Sequence, residues 1–338
     1  MIRKVRIRNF KSIKDLEFKP AKINVFIGEP NTGKSNILEA IGLFSLLYDH
    51  DRPGAFVRFR HWSNLFYDDN IEDEVNVTVD EKTLKLSGEE RGCSITIQDD
   101  KTTFFDAHYN DPSVTVKDEI FEHEGFLPIT SATLSSADKL PKIKFYRFKP
   151  FSHRSTPQKW AFLKPPNGEN IVDIIKTHKS LLMLITDIFG QYGYNLLLKP
   201  YSNDLEIVKT FGNAFIALPY KLVSDTLQRQ VFFMLAIKSN KDSVLLFEEP
   251  EAHAFPRHIK TLAETIAMDK TNQFFIATHN PYLLRSIMEK APKGSLNIYA
   301  TYMKDYQTRL KLLDRKTMEE IFVKDLDPFF NLERFLEG

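Results

Sequence analysis

The sequence has a single cysteine and no long apolar run. Cys93 alone excludes an internal disulfide and a cysteine-rich zinc site within one chain, and it is typical of a reducing compartment. The most apolar stretch, residues 181–189, is too short to cross a bilayer and contains Asp187. The first residues alternate between basic and apolar side chains, unlike a signal peptide. We therefore predict a cytoplasmic protein that does not enter the membrane.

Neither positive nor negative charge is in excess, because 46 Lys and Arg residues are balanced by 45 Asp and Glu residues. The formal net charge of +1 does not indicate a nucleic-acid-binding protein. Basic residues do cluster near the start of the chain: Arg3, Lys4, Arg6, Arg8, Lys11, Lys14, Lys19 and Lys22. We interpret them as solvent-facing residues of edge strands.

Hydrophobic periodicity predicts an α/β protein without heptads, internal repeats or a low-complexity tail. The first part reads as paired strands at 5–10 and 16–18, a buried strand at 23–27 and a helix over 37–47. Short alternating runs between 56 and 148 predict an antiparallel β region, and residues 171–188 read as one helix. A second α/β alternation comprises a helix at about 225–238, a strand at 244–247, a helix at about 257–268, a strand at 274–277, a helix after Pro281 and closing strands at 296–302 and 309–313.

A complete P-loop lies between the strand at 23–27 and the helix that follows. Gly28-Glu29-Pro30-Asn31-Thr32-Gly33-Lys34-Ser35 matches G-x-x-x-x-G-K-[ST]. The glycines allow a tight turn whose main-chain N–H groups cradle phosphate oxygens at a helix N-terminus. Lys34 neutralises phosphate charge, and the Ser35 hydroxyl is a ligand for Mg²⁺. The predicted ATP-binding residues are Gly28, Asn31, Thr32, Gly33, Lys34, Ser35 and Asn36.

Carboxylates follow the next buried strand, at Glu248-Glu249-Pro250-Glu251. A P-loop enzyme uses carboxylates at such a strand end to hold Mg²⁺ and to polarise the attacking water. We assign Glu248 to the metal and Glu249 as general base, because adjacent strand residues point to opposite faces. The alternative interpretation is a solvated acidic turn.

A histidine ends the following strand, in Thr278-His279-Asn280-Pro281. An imidazole at this position can donate a hydrogen bond to the γ-phosphate or to the attacking water. The alternative is a structural histidine. Its position beside the acidic strand end favours His279 as a third catalytic residue, with Glu249 and Lys34.

Together these residues resemble the ATPase head of the ABC superfamily, in the branch of SMC, RecF-like and OLD-family proteins, which are often labelled AAA-family ATPases. The resemblance rests on three segments: 7–13 with the P-loop and 36–41, Glu248-Glu249-Pro250-Glu251-Ala252-His253 as Walker B, and Ala277-Thr278-His279 as switch histidine. It implies an α/β P-loop NTPase fold with a central, mostly parallel sheet flanked by helices and an antiparallel β lobe.

The family pattern also implies two chains that sandwich ATP head to tail, as a homodimer or higher oligomer. Each nucleotide would then contact the signature helix of the partner, for which Ser224 is the only candidate. A serine at a helix start can cap the helix and donate to a phosphate. The sequence departs from the family in lacking the signature glycine, in having Glu248 in place of aspartate, and in offering no well-placed Q-loop glutamine, since Gln98 lies at an unsuitable position.

The resemblance predicts one ATPase head over 1–338. Its expected parts are a P-loop lobe at 1–55, a β-rich insert at 56–150, a helical linking segment at 151–222 and a lobe with signature, Walker B and switch histidine at 223–338. Neither the coiled-coil arms of SMC proteins nor the TOPRIM nuclease domain of OLD proteins has an expected counterpart.

The leading functional prediction is an Mg-ATP-driven dimerising switch that acts on DNA, RNA or a partner nuclease, in DNA repair or antiphage defence. A nucleotide-binding subunit of an ABC transporter is one alternative, which the missing signature glycine disfavours. A low-turnover ATP-dependent scaffold is another, suggested by Glu248. No Asn-Lys-x-Asp motif supports GTP recognition.

Overall fold

A computed structural model describes residues 1–90, 92–110, 129–135, 137–150, 160–199, 204–323 and 327–337. The strands, numbered along the chain, are β1 Val5–Phe10, β2 Ile13–Phe18, β3 Ile23–Gly28, β4 Val75–Val79, β5 Lys82–Glu89, β6 Gly92–Gln98, β7 Thr103–Asn110, β8 Ile129–Leu134, β9 Ile143–Tyr146, β10 Asn195–Lys199, β11 Asp204–Phe211, β12 Ala214–Pro219, β13 Val244–Glu248, β14 Gln273–Ala277, β15 Leu296–Lys304 and β16 Gln307–Leu312. The α-helices are α1 Lys34–Gly42, α2 Ile171–Thr177, α3 Lys179–Gly190, α4 Asp225–Lys238, α5 Pro256–Met268, α6 Pro281–Lys290, α7 Arg315–Val323 and α8 Leu332–Glu337.

A six-stranded sheet forms the centre, in the order β16-β15-β3-β14-β13-β9. Its neighbouring strands are parallel except for the hairpin of β15 and β16. Alternate residues of the apolar strands enter two different cores, as a sheet covered on both faces requires. On β14, Phe275 packs toward α1 and the antiparallel lobe, whereas Phe274 and Ile276 pack toward α4, α5 and α6.

The antiparallel lobe is a seven-stranded sheet in the order β2-β1-β4-β5-β6-β7-β8. It confirms the antiparallel region predicted for 56–148, although β9 belongs to the central sheet. β1 and β2 join the lobe across the predicted division at residue 55, because β1 pairs with β4.

The basic residues of β1 face solvent, as predicted, but β1 is not an edge strand because it lies between β2 and β4. Arg6 donates two hydrogen bonds to Asp15, of 3.0 and 2.7 Å. Nζ of Lys4, the residue just before β1, lies 3.0 Å from Oε1 of Glu17. Much of the positive charge on this strand is therefore paired with carboxylates of β2.

The region before α4 differs most from expectation. The predicted single helix at 171–188 is wrong, because extended backbone at His178 divides it into α2 and α3. Residues 195–219, expected to be linking segment, form a three-stranded antiparallel sheet of β10, β11 and β12. The predicted helix at 37–47 ends as α1 at Gly42 and continues as the 3₁₀ helix Leu43–Tyr48. In the part of the chain described here, no helix is long and apolar enough to span a membrane.

Candidate active site

Three parallel strands bring the candidate residues to one edge of the central sheet. β3 ends at Gly28, β13 at Glu248 and β14 at Ala277, and Glu248 is in register with Ala277. The carboxyl ends of parallel strands are where open α/β sheets bind ligands. The P-loop, the acidic turn and the segment with His279 therefore meet at this edge.

The P-loop backbone requires its two motif glycines. Gly33 has a φ of +93°, and a Cβ there would lie 2.0 Å from Oγ1 of Thr308. A Cβ on Gly28 would lie 2.2 Å from Oγ1 of Thr301. Both distances are far below van der Waals contact, so a side chain at either position would displace the loop.

The Lys34 side chain is buried within its own loop. Its Nζ donates hydrogen bonds to the carbonyl oxygens of Gly28, at 2.8 Å, and Glu29, at 2.7 Å. Burial lowers the pKa of Lys34 to about 8, although the charges of Glu249 and Glu29 favour the ammonium form. An anionic ligand would stabilise that charge more strongly than neutral carbonyl groups do.

Glu249 and His279 face each other beside this lysine. Oε1 of Glu249 lies 3.7 Å from Nε2 of His279, and the side chains are 51% and 39% exposed. Glu249 has a φ of +43° and donates its main-chain N–H to the carbonyl oxygen of Ala277. Burial and the nearby charge of Lys34 lower the pKa of His279, which the charge of Glu249 opposes. The structure thus brings together the three residues predicted to be catalytic.

Glu248 faces a different group of charges. Its two carboxylate oxygens accept hydrogen bonds from Arg58, at 3.0 Å, and Arg147, at 3.1 Å. Arg58 also donates to Glu39, whose fully buried carboxylate lies 2.5 Å from Nζ of Lys11. Two carboxylates and three cations therefore form one network beneath the P-loop helix.

The separation of Glu248 from Glu249 follows the prediction, but its cause is different. β13 ends at Glu248, and the positive φ of Glu249 turns the chain out of the strand. A left-handed residue, not strand alternation, gives the second carboxylate its direction.

A cavity of about 440 Å³ opens at this site. It is lined by Ser12, Pro30, Asn31, Gly33, Lys34, Ser35, Asn36, Arg58 and His279. The Thr32 hydroxyl turns instead toward Thr301 and the carbonyl oxygen of Glu29. No glutamine is among the lining residues. Gln98 lies on β6 and lines a different, polar cavity with Arg6.

The residues present fit a magnesium–nucleotide complex in kind. Ser35 lines the cavity with a hydroxyl group, and Glu248 has a carboxylate that would have to exchange an arginine for the metal; oxygens of both kinds are ligands that Mg²⁺ prefers. Among the described residues, no group of three or more His, Cys, Asp or Glu could hold a metal ion. Magnesium commonly binds through one or two protein groups, substrate phosphates and water, so a site with one hydroxyl group and one carboxylate group is suitable for it.

Ser224 is the N-cap residue of α4, where a signature serine was predicted. The expected capping bond is not made by its exposed side chain. The adjacent turn is fixed by Thr226, whose hydroxyl donates to the carbonyl oxygen of His253 at 2.8 Å. The start of α4 is therefore held against the turn that follows Glu249.

Arg58 and Arg147 are two site residues that sequence reasoning missed. A single arginine in a loop has no spacing that distinguishes it from a solvated surface residue. The signal that was available is the density of basic and aromatic residues in Phe56-Val57-Arg58-Phe59-Arg60-His61.

Comparisons with known proteins agree with this geometry. A family model described as an AAA ATPase domain matches residues 1–190, more than half of the chain, and a model of an AAA domain matches 193–285. A relative named ATP/GTP phosphatase, from Helicobacter pylori (strain ATCC 700392 / 26695), is 25% identical over 338 residues, covering 99% of this chain and 78% of the relative. The crystal structure of an SMC head bound to the C-winged helix domain of ScpA matches with a TM-score of 0.52 and 17% identity, covering 94% of this chain and 99% of that one.

Fold and site together define a P-loop ATPase whose fold is similar to that of an SMC head. The chain belongs to the AAA ATPase domain family. This membership supports nucleotide hydrolysis as the activity, and domains of this family imply a nucleotide and usually Mg²⁺.

Proposed function

We propose that this protein hydrolyses Mg-ATP at the P-loop cavity and that ATP joins two copies head to tail. The observation that carries the proposal is the convergence of Lys34, Glu249 and His279 at one edge of the sheet. A phosphate-binding lysine, a carboxylate and an imidazole are the groups that phosphoryl transfer to water needs.

Each residue has a proposed role. Lys34 exchanges its carbonyl partners for the β- and γ-phosphates, and the main chain around Gly28, Asn31, Thr32, Gly33 and Asn36 cradles them. Glu249 accepts the proton of the attacking water, and His279, kept neutral by its lowered pKa, donates a hydrogen bond to the γ-phosphate. Ser35 and Glu248 would hold Mg²⁺, which when bound neutralises phosphate charge.

The hydrolysis proposal is tested by Mg²⁺-dependent phosphate release from the purified protein. Lys34→Ala should abolish release, whereas Lys290→Ala, a change at an exposed lysine of α6, should not alter it. Equal release by both variants would show that the activity belongs to a contaminant or to another site.

Dimerisation is supported by the exposed Ser224 at the N-cap of α4. Because its hydroxyl makes no capping bond, it remains available to a phosphate held by a second copy. Light scattering of Glu249→Gln protein should show a doubled mass with Mg-ATP. Adding Ser224→Ala should weaken that doubling, and the matched change Ser286→Ala on α6 should not. An unchanged mass with Mg-ATP would refute the head-to-tail arrangement for this chain alone.

We further propose that the ATP cycle acts on a partner nuclease or a nucleic acid, in DNA repair or antiphage defence. The pairing of Arg6 with Asp15 and of Lys4 with Glu17 makes β1 a poor phosphate-binding surface, which favours a protein partner. Phosphate release measured with added duplex DNA, single-stranded DNA and RNA distinguishes a nucleic-acid partner from a protein partner. A stimulation that falls steeply with salt would favour nucleic acid.

A low-turnover scaffold is the second candidate, favoured by the two arginines that occupy the Glu248 carboxylate. Under this hypothesis Mg-ATP binds and joins two copies without efficient hydrolysis. Turnover no faster than that of Glu249→Gln protein, together with tight ATP binding, would support it.

A further inference from the structure

Glu251 is a buried carboxyl group that the proposed chemistry does not use. It lies in the turn after β13 and is only 6% exposed. Its Oε1 accepts the hydrogen bond of the Thr278 hydroxyl. Its Oε2 has no hydrogen-bond partner within the described part of the chain. A buried carboxyl oxygen without a partner is costly, so a function is needed to explain why the group is kept.

The hydrogen bonds of Thr278, the partner of Glu251, reach both sides of the histidine. Thr278 is fully buried, and its hydroxyl oxygen accepts the main-chain N–H of Asn280 at 2.9 Å. Asn280 in turn caps α6, because its side chain accepts the N–H of Leu283 at 3.0 Å. His279 is thus held between an anchored threonine and an anchored helix start.

The same turn positions Glu249. Main-chain hydrogen bonds from Ala252 to Glu249 and from Ala254 to Glu251 close the turn. Within it Glu249 has a φ of +43°, a strained conformation that persists only where the surroundings impose it. Glu251 is therefore a direct link between the turn that carries Glu249 and the loop that carries His279.

We propose that Glu251 is a positioning residue that sets the separation of Glu249 and His279 through its hydrogen bond with the hydroxyl of Thr278, the residue before His279. This role rests on the proposed hydrolysis. Burial raises the pKa of Glu251 to about 7, and the hydrogen bond from Thr278 opposes this shift. A carboxyl that only stabilised the fold would leave catalysis unchanged once the protein had folded.

The test compares steady-state hydrolysis of Mg-ATP by the full chain and its variants. For Glu251→Ala and for Thr278→Val we expect kcat to fall about 10- to 100-fold, the effect of a misplacement near 1 Å, with KM nearly unchanged. Thr278→Ser keeps the hydroxyl and should restore kcat, as should Glu251→Gln, whose amide oxygen can still accept it. Because the two residues act as one unit, the double variant should be no slower than the slower single variant.

The control is Thr265→Val on α5. Thr265 is half-buried, and its hydroxyl donates to the carbonyl oxygen of Thr261. This variant should retain wild-type kcat. The proposal is overturned if folded Glu251→Ala protein keeps its kcat, if only KM changes, or if the losses of Glu251→Ala and Thr278→Val add.

A second measurement does not depend on turnover. The imidazole of His279 is titrated by NMR in wild type, Glu251→Ala and Thr278→Val. If Glu251 holds this loop in place, the lowered pKa of His279 moves back toward the ordinary histidine value in both variants. An unmoved titration curve refutes the positioning role. A wild-type protein without hydrolysis but with the expected shift refutes only the proposed function.

Discussion

Oε1 of Glu249 lies 3.7 Å from Nε2 of His279, across the gap between the ends of β13 and β14. The distance is too long for a direct hydrogen bond, and it leaves the two groups facing the same volume. A carboxylate and an imidazole at this spacing can both reach one water molecule or one phosphate oxygen.

Replacing Glu249 by glutamine should separate binding from hydrolysis. The amide keeps the size of the side chain but is not a base, so phosphate release should fall by about 100-fold or more. ATP affinity should change little, because Lys34 and the loop backbone are untouched. Phosphate release and equilibrium binding of ATP measure the two effects. Glu289→Gln on α6 is the matched control, and loss of ATP binding in Glu249→Gln would contradict the assigned role.

Gly33→Ala should disable the P-loop without a general loss of folding. The positive φ of Gly33 and the contact with Thr308 at 2.0 Å both oppose a Cβ. We expect ATP affinity to fall by at least about 10-fold, measured by calorimetry. Gly190→Ala is the control, since that residue ends α3 with open space around it and no positive φ. Gly190→Ala protein should bind ATP with wild-type affinity. An equal loss of ATP affinity in both variants would contradict the role of the P-loop in binding ATP.

Removing the carboxylate of Glu39 should destabilise the protein strongly. Lys11, whose side chain is 14% exposed, would lose its buried carboxylate partner, whereas Arg58 keeps Glu248. An uncompensated buried charge costs about 3–5 kcal/mol in comparable cases. Urea unfolding of Glu39→Ala should report that loss. Glu289→Ala removes only an exposed partner of Arg285 and should leave the free energy of unfolding within about 0.5 kcal/mol of wild type. Similar values for both variants would mean that the network contributes little.

The parts of the fold that could be predicted have strong local signals. The P-loop is a contiguous motif between a buried strand and a helix, and α4 was predicted at its observed bounds. The carboxyl ends of β13 and β14 were identified because an apolar run stops abruptly at polar residues.

The parts that could not be predicted depend on contacts distant in sequence. Arg58 and Arg147 enter the site through Glu248, which is 190 and 101 residues away in the chain. β12 was missed because all but one of its residues are exposed and its sequence does not alternate between apolar and polar side chains. The pairing of β1 with β4 across more than sixty residues likewise leaves no mark in local periodicity.

Lys144 provides a pH-dependent test of the central sheet. Lys144 lies on β9 and is only 3% exposed. Its Nζ donates a hydrogen bond to the side chain of Asn240 and lies 3.3 Å from the ring centre of Phe162. Burial, and secondarily the charge of Lys142, lowers the pKa of Lys144 from 10.5 to about 7. Between these two values the unfolded chain binds a proton that the folded protein does not. The free energy of unfolding therefore rises with pH across this window, and this contribution is constant below it.

Lys144→Met should remove that dependence. We expect the stability of wild type relative to the variant to increase by about 2 kcal/mol from pH 7 to pH 9, because each unit of pKa shift corresponds to about 1.4 kcal/mol. Urea unfolding at a series of pH values measures the difference, which cancels the contribution of Lys34 because that residue is present in both proteins. Lys142→Met, a change at an exposed neighbour on the same edge, should follow the wild-type curve far more closely. Parallel curves for wild type and Lys144→Met would mean that Lys144 titrates in the folded protein as it does in the unfolded chain.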